Sequence, residues 1–175
     1  MAVFEPPSHL VILQTEHWVL NHRVDTALPG YLMLGARVPT NDLYRMRPQA
    51  LAELGPLLAR TQKALDDILK PRHFYIGRYG HMAGHALHFH IIPVCEWLRQ
   101  SFLADPRYRL LRDISGHPAP IGATDETDGA ELTLYIWREL CESPAPPQVF
   151  GPTVGELTAR LKLVLSAPER RGEAS

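Results

Sequence analysis

Residues 84–93 read G-H-A-L-H-F-H-I-I-P. In a β-strand, residues two apart point to the same face. His88 and His90 are therefore expected to project together, while Leu87, Phe89 and Ile91 face the opposite side, toward a core. His81 and His85 lie just upstream, so four of the chain's 9 histidines fall between residues 81 and 90. Imidazole titrates nearest neutrality of the common side chains, which suits it to nucleophilic, acid–base or metal-ligand work. A strand that merely turns two imidazoles to solvent would carry no chemistry, so the surrounding chain has to decide.

Upstream, His9 to Gln14 reads as a first strand or its approach, Trp18 to Asn21 as a second and Gly30 to Ala36 as a third. Pro29-Gly30 marks a turn between the last two, and a short connection implies an antiparallel hairpin. Thr40-Asn41-Asp42 offers N-cap residues. From Pro48 to Leu69 apolar residues recur at helical spacing, with Gly55-Pro56 set to kink one helix or divide it in two. Phe74 to Arg78 and Leu87 to Val94 read as strands joined by the His-rich loop. Residues 95–127 look irregular apart from a short helix near Ser101 to Ile114. Ala130 to Trp137 alternates and is predicted to be a further strand. Residues 143–152 are Pro-rich and read as an extended linker. Thr153 to Leu165 can cap and form a helix with Leu157, Leu161 and Leu165 on one side, followed by a frayed tail.

The chain of 175 residues is long enough for one domain with a substantial core, and 45% hydrophobic with 21% charged residues is ordinary for a globular protein. A formal net charge of -1 gives no global electrostatic case for nucleic acid or an anionic membrane, while a local phosphate site remains open. Cys95 and Cys141 make neither a disulfide framework nor a Cys-x-x-Cys site, so a reducing cytoplasm is the expected setting. The N-terminal M-A-V-F-E-P-P has neither the basic flank nor the apolar run of a signal peptide. No stretch approaches the length of a membrane span.

Three chemistries suit the His88/His90 pair. Zinc needs at least three protein ligands, which His81 or His85 would have to complete. A general-base role needs an activated Ser or Cys, and no G-x-S-x-G elbow is present. The third is an imidazole that itself attacks phosphorus, while its neighbour holds a phosphoryl oxygen or protonates the leaving group.

His88-Phe89-His90-Ile91-Ile92-Pro93 resembles the second half of the histidine triad (HIT) superfamily signature, His-φ-His-φ-His-φ-φ. L-N-H-R-V-D-T-A-L-P-G-Y-L-M-L is similar to the family's hairpin, and helix and signature follow in the expected order. The resemblance covers about residues 10 to 95, with a weaker likeness at D-G-A-E-L-T-L-Y-I-W-R-E. It implies an α+β fold: an antiparallel sheet of about five strands, a long helix packed on it and a C-terminal helix. The HIT-like domain would span residues 1–142, the linker 143–152, and the helix and tail 153–175.

By position the resemblance makes His88 the nucleophile that attacks an α-phosphorus and His90 the phosphate contact. Asn21 matches the asparagine near the nucleotide ribose. Ala86 stands where the first histidine of the triad would be. Arg78, at a strand end, is a candidate phosphate contact, and His85 a substitute hydrogen-bond donor; His17 and His22 carry little weight. The implied activity is a nucleotide hydrolase or nucleotidyl transferase acting on a nucleoside phosphoramidate or dinucleoside polyphosphate, as a homodimer with the sheet continued across the interface. No metal or cofactor is required by the covalent step, although a polyphosphate can arrive as its magnesium complex. The alternatives are a nucleotide-binding regulatory protein with little turnover, favoured by Ala86, and a His-rich metal-binding protein. Trp97 and Phe102 are expected in packing, and Arg99, Arg107, Arg109 and Arg112 on a solvated face.

Overall fold

The computed structural model describes residues 5–79, 86–108 and 129–166. Five strands, β1 (Val11–Gln14), β2 (Trp18–His22), β3 (Leu32–Ala36), β4 (His73–Gly77) and β5 (His88–Val94), form one sheet. Its order is β1-β2-β3-β5-β4, with every neighbouring pair antiparallel. The expected α+β architecture is the one observed.

Helix α1 (Pro48–Leu69) connects β3 to β4 and runs unbroken through Pro56. Pro56 cannot donate to the Ala52 carbonyl, but Ala52, Gly55 and Pro56 are exposed, so water satisfies that oxygen. The stripe Ala50, Leu57, Thr61, Ala64 and Leu65 on the other side is buried and keeps the helix on the sheet. The helix begins with Arg47 at the cap position and Pro48 in the first turn; the Thr40-Asn41-Asp42 segment instead leads into a 3₁₀ turn at Leu43–Arg45. It ends on Lys70, in the left-handed region at φ 49°, whose N–H bonds the Asp66 carbonyl at 3.0 Å.

Both sheet faces are covered. On one, Trp18, Leu20, Leu32, Leu34, Leu87 and Ile91 pack against α1 and the C-terminal helix α4 (Val154–Ser166), which contributes Leu157, Leu161 and Leu165. The Trp18 indole N–H donates to the Ala50 carbonyl at 2.9 Å, pinning β2 to α1. A reciprocal Thr153–Glu156 capping box starts α4. Leu157, Leu161 and Leu165 thus enter the same core as the sheet. On the other face, Tyr31, Ile92 and Val94 pack against α2 (Glu96–Ala104) and α3 (Gly129–Tyr135).

The strand expected at Ala130–Trp137 is not formed. Residues Gly129–Tyr135 are α-helical and Ile136–Cys141 continue as a π-helical turn. The run E-L-T-L-Y-I-W satisfies a period of two, but the side chains actually buried are Leu132, Tyr135, Ile136 and Leu140. That spacing is helical, and Leu134 and Trp137 are left exposed. Tertiary packing on Phe102 and Tyr108 overrides the β-propensity of the segment. Of the segment from Ser101 to Ile114 expected to hold a short helix, residues 101–104 close α2, Pro106–Tyr108 form a 3₁₀ turn, and residues 109–114 lie outside the described residues. Phe102 is buried in this second core, and Trp97 packs on Phe150 from the Pro-rich segment. Arg99, expected on a solvated face, is instead buried in α2 and pairs with Glu96, whereas Arg107 is exposed and pairs with Asp105 and Glu139; Arg109 and Arg112 lie outside the described residues. No helix among the described residues is long and apolar enough to cross a membrane.

Candidate active site

Strand register assembles the site. Across β2, β3 and β5, Asn21 lies beside Met33 and Met33 beside His90; two rungs along, and so on the same face, Val19 lies beside Gly35 and Gly35 beside His88. Residues on a rung share a face, so His88 and His90 stand over the same part of the sheet, ring centroids 5.1 Å apart. Gly35 supplies no side chain between Val19 and His88, which leaves the floor low there. These rungs line a cavity of about 450 Å³, within the range of small-molecule sites.

Ala86 and Leu87 lead into β5. The Leu87 N–H donates to the Thr40 carbonyl and its carbonyl accepts from the Ala36 N–H, both at 2.7 Å. So held, the Ala86 carbonyl lies 2.8 Å from His88 Nδ1. A carbonyl only accepts, so Nδ1 carries the proton. In the neutral ring Nε2 is then the unprotonated nitrogen. Ala86, two residues before His88, thus contributes its main chain, which an alanine does as well as any other residue.

His90 Nδ1 lies 2.8 Å from the Tyr31 hydroxyl, which is also 2.6 Å from Arg23 Nη1. Arg23 is held in turn by Asp25 through a paired guanidinium–carboxylate contact, and its guanidinium lies 4.9 Å from the Tyr31 ring centre. Burial, the neighbouring His88 and the charge of Arg23 push His90 down to about 3, with Asp25 pulling weakly the other way, so the ring is neutral at physiological pH. Burial holds the Tyr31 phenol up at about 12, so it too is neutral. Burial opposes the charge of Asp25, but the Arg23 hydrogen bond and charge outweigh it and keep its carboxyl below the ordinary range.

The loop carrying Arg23 is tied down by a tight turn and a buried ring. Leu28–Tyr31 form a turn in which the Tyr31 N–H donates to the Leu28 carbonyl at 3.2 Å, with Gly30 at φ 81°. Pro before a left-handed Gly is the type II signature, the one read from Pro29-Gly30. His22, fully buried, places its ring nitrogens 2.8 Å and 3.0 Å from the carbonyls of Arg23 and Leu28. Burial pushes its pKa down against the pull of those two carbonyls.

Tyr79, Trp137 and Glu142 form the lip of the cavity. The Tyr79 ring centre is 5.1 Å from that of His90, and the Trp137 indole N–H donates to the Glu142 carboxylate. The π-helical turn brings these last two together: the Glu142 N–H bonds the Trp137 carbonyl, five residues back, at 3.0 Å.

Of the residues proposed from sequence, His88, His90 and Asn21 meet at this cavity. Asn21 is buried and its Nδ2 donates to the His22 carbonyl at 2.7 Å. Arg78 does not join them; its guanidinium is bound 2.5 Å from the Asn41 carbonyl. His81 and His85 lie outside the described residues. Among the described residues no three His, Cys, Asp or Glu side chains cluster as metal ligands. Sequence reading used H-R-V-D-T-A-L-P-G-Y only for its turn and missed Arg23, Asp25 and Tyr31; an Arg-x-Asp pair leading into a Pro-Gly-Tyr turn was the available signal. Trp137 and Glu142 were hidden by the strand reading.

No family model matches the sequence, and no curated protein matches it. Solved structures share its architecture. A uridylyltransferase chain aligns at 16% identity and a TM-score of 0.53, over 91% of this chain and 42% of its own, so this chain spans less than half of that protein. A zinc-bound histidine triad family protein from Mycobacterium smegmatis aligns at 14% identity and a TM-score of 0.49, over 90% of this chain and 84% of its own. A HIT-like protein involved in cell-cycle regulation, from Bartonella henselae, aligns at 12% identity and a TM-score of 0.48, over 89% and 86%. At such identities the shared property is the fold alone: this chain has the α+β fold of the uridylyltransferase structures.

Proposed function

We propose that the protein is a nucleotide hydrolase or nucleotidyl transferase acting at the α-phosphorus of a nucleoside phosphoramidate or dinucleoside polyphosphate. The observation that carries this reading is the bond from His88 Nδ1 to the Ala86 carbonyl. It leaves Nε2 as the unprotonated nitrogen of a neutral ring that lines a cavity of nucleotide scale, and the carbonyl stabilises the ring as it becomes an imidazolium. The Nε2 lone pair forms an N–P bond while the bond from phosphorus to the leaving group breaks: a polyphosphate departs with the electron pair as its anion, and an amine departs neutral, its nitrogen having taken a proton from solvent. Water or another acceptor then attacks phosphorus, and the N–P pair returns to Nε2; in hydrolysis the water proton passes to solvent. His90 donates to a phosphoryl oxygen. Asn21 Oδ1 accepts from a ribose hydroxyl. Magnesium enters only as part of a polyphosphate substrate, and a homodimer belongs to the same reading.

The test is intact-mass analysis after mixing the protein with adenosine phosphoramidate or a dinucleoside polyphosphate at neutral pH. A nucleotidyl adduct should appear on the wild type and be absent from His88→Ala, with hydrolysis lost in parallel. Hydrolysis by His88→Ala at the wild-type rate would remove His88 as nucleophile.

A further inference from the structure

The Tyr31 hydroxyl has two polar partners among the described residues, and they differ in kind. Arg23 Nη1, at 2.6 Å, can only donate. The phenol is 1% exposed, so its own proton needs a protein acceptor. His90 Nδ1, at 2.8 Å, is the one in reach. With Nδ1 accepting, the proton of a neutral imidazole must sit on Nε2. Orientation thus passes from Asp25 to Arg23, to the hydroxyl and to the ring.

We propose that Tyr31, oriented by Arg23, is a positioning residue that locks His90 as the neutral Nε2–H tautomer, so that His90 acts as a fixed hydrogen-bond donor and not as a proton donor. The two imidazoles of the pair are then opposite tautomers. His88 is protonated on Nδ1 with Nε2 bare, and His90 is bare on Nδ1 with Nε2 protonated. One side of the cavity presents a lone pair and the other an N–H, as attack on phosphorus with charge developing on its oxygens requires. A neutral N–H stabilises that charge but surrenders no proton near neutrality. A polyphosphate or aryl oxide leaving group therefore departs as its anion, and formation of the adduct should slow as that group becomes more basic, whereas an amine takes its proton from solvent and not from His90. This rests on His88 being the nucleophile; the tautomer itself does not.

The titratable and charged groups around the His90 ring are His88 on its own strand, Tyr31 at the start of β3, and Arg23 and Asp25 from the hairpin loop. Tyr79 flanks it beyond β4, and Cys141, at the end of the π-helical turn, faces Arg23 and Asp25. The test is nitrogen-15 NMR of the imidazoles in the full chain, with Tyr31→Phe beside the wild type. In the wild type, His90 should show a bare Nδ1 and a protonated Nε2, unchanged from about pH 8 to about pH 5. In Tyr31→Phe the tautomers should mix and the ring should titrate. Adduct formation should also slow at least about tenfold at saturating substrate, with little change in KM. A wild-type His90 protonated on Nδ1 overturns the proposal without recourse to any variant. So does a Tyr31→Phe protein with an unaltered imidazole signature and pH profile, or adduct formation in the wild type that is indifferent to leaving-group basicity across a series of nucleoside aryl phosphates. Absence of any adduct with the imidazole signature intact would instead refute the nucleotidyl reading and leave the tautomer lock standing.

Discussion

Replacing His90 by Gln should flatten the pH dependence of folding stability on the acid side. In the unfolded chain the imidazole titrates at its ordinary value of 6.5, and in the folded protein at about 3. Below pH 6.5 the unfolded state takes up a proton that the native state refuses. The stabilisation is thus complete above that value and is lost as the pH falls toward the folded one. Integrating the linkage relation from pH 8 to pH 5 gives a loss of about 2 kcal/mol attributable to this ring. Carboxylates and His22 also contribute, but they do so in both proteins and largely cancel in the difference. Urea unfolding followed by tryptophan fluorescence, at intervals between those two pH values, measures it. The wild type should lose about 2 kcal/mol more than His90→Gln over that range. Parallel stability curves would mean that His90 is not held neutral, and the account of its burial beside Arg23 would fail.

Gly30→Ala should cost about 3 kcal/mol or more by urea unfolding, since φ is 81° and a Cβ would stand 2.7 Å from Leu69 Cδ1 and 2.9 Å from Pro93 Cγ; a loss under about 1 kcal/mol would show that the turn relaxes freely. Lys70→Gly should gain about 0.5–1 kcal/mol by relieving a left-handed non-glycine residue at the end of α1, and a drop in melting temperature would contradict it. Gly35→Leu should fold, because a Cβ there meets only ordinary contacts, 3.7 Å from Val19 Cγ1 and 4.0 Å from His88 Cβ. The longer side chain should fill the cavity floor and abolish the thermal shift given by nucleotide ligands; an undiminished shift would place the ligand elsewhere.

The sheet was largely legible because its strands are buried on one or both faces and their alternation is enforced by that burial. Two imidazoles at i and i+2 share a face in any strand, so His88 and His90 could be paired from spacing alone. Ala130–Trp137 misled because its apolar residues fit either period until Leu140, beyond the segment read as a strand, is counted. The Tyr31–His90 contact joins residues 59 apart and exists only because β3 lies beside β5. No local pattern reports such a juxtaposition. Conversely, Ala86 looked like a deficit in the sequence because side chains are what a sequence displays, and its contribution is a carbonyl.

Gly30 ties the chemistry to packing on the far side of the sheet. Leu65, Leu69 and Pro93 close on the place where its side chain would be, and the next residue is Tyr31. The hydroxyl that orients His90 therefore inherits its coordinates from the fit of two leucines on α1, a helix that lies on the face without the cavity. Substitutions at Leu65 or Leu69 and substitutions at Tyr31 should consequently be epistatic, the effect of each depending on the other. Selection for activity from a weakened Tyr31 variant would recover compensating changes at the C-terminal end of α1, where no ligand reaches.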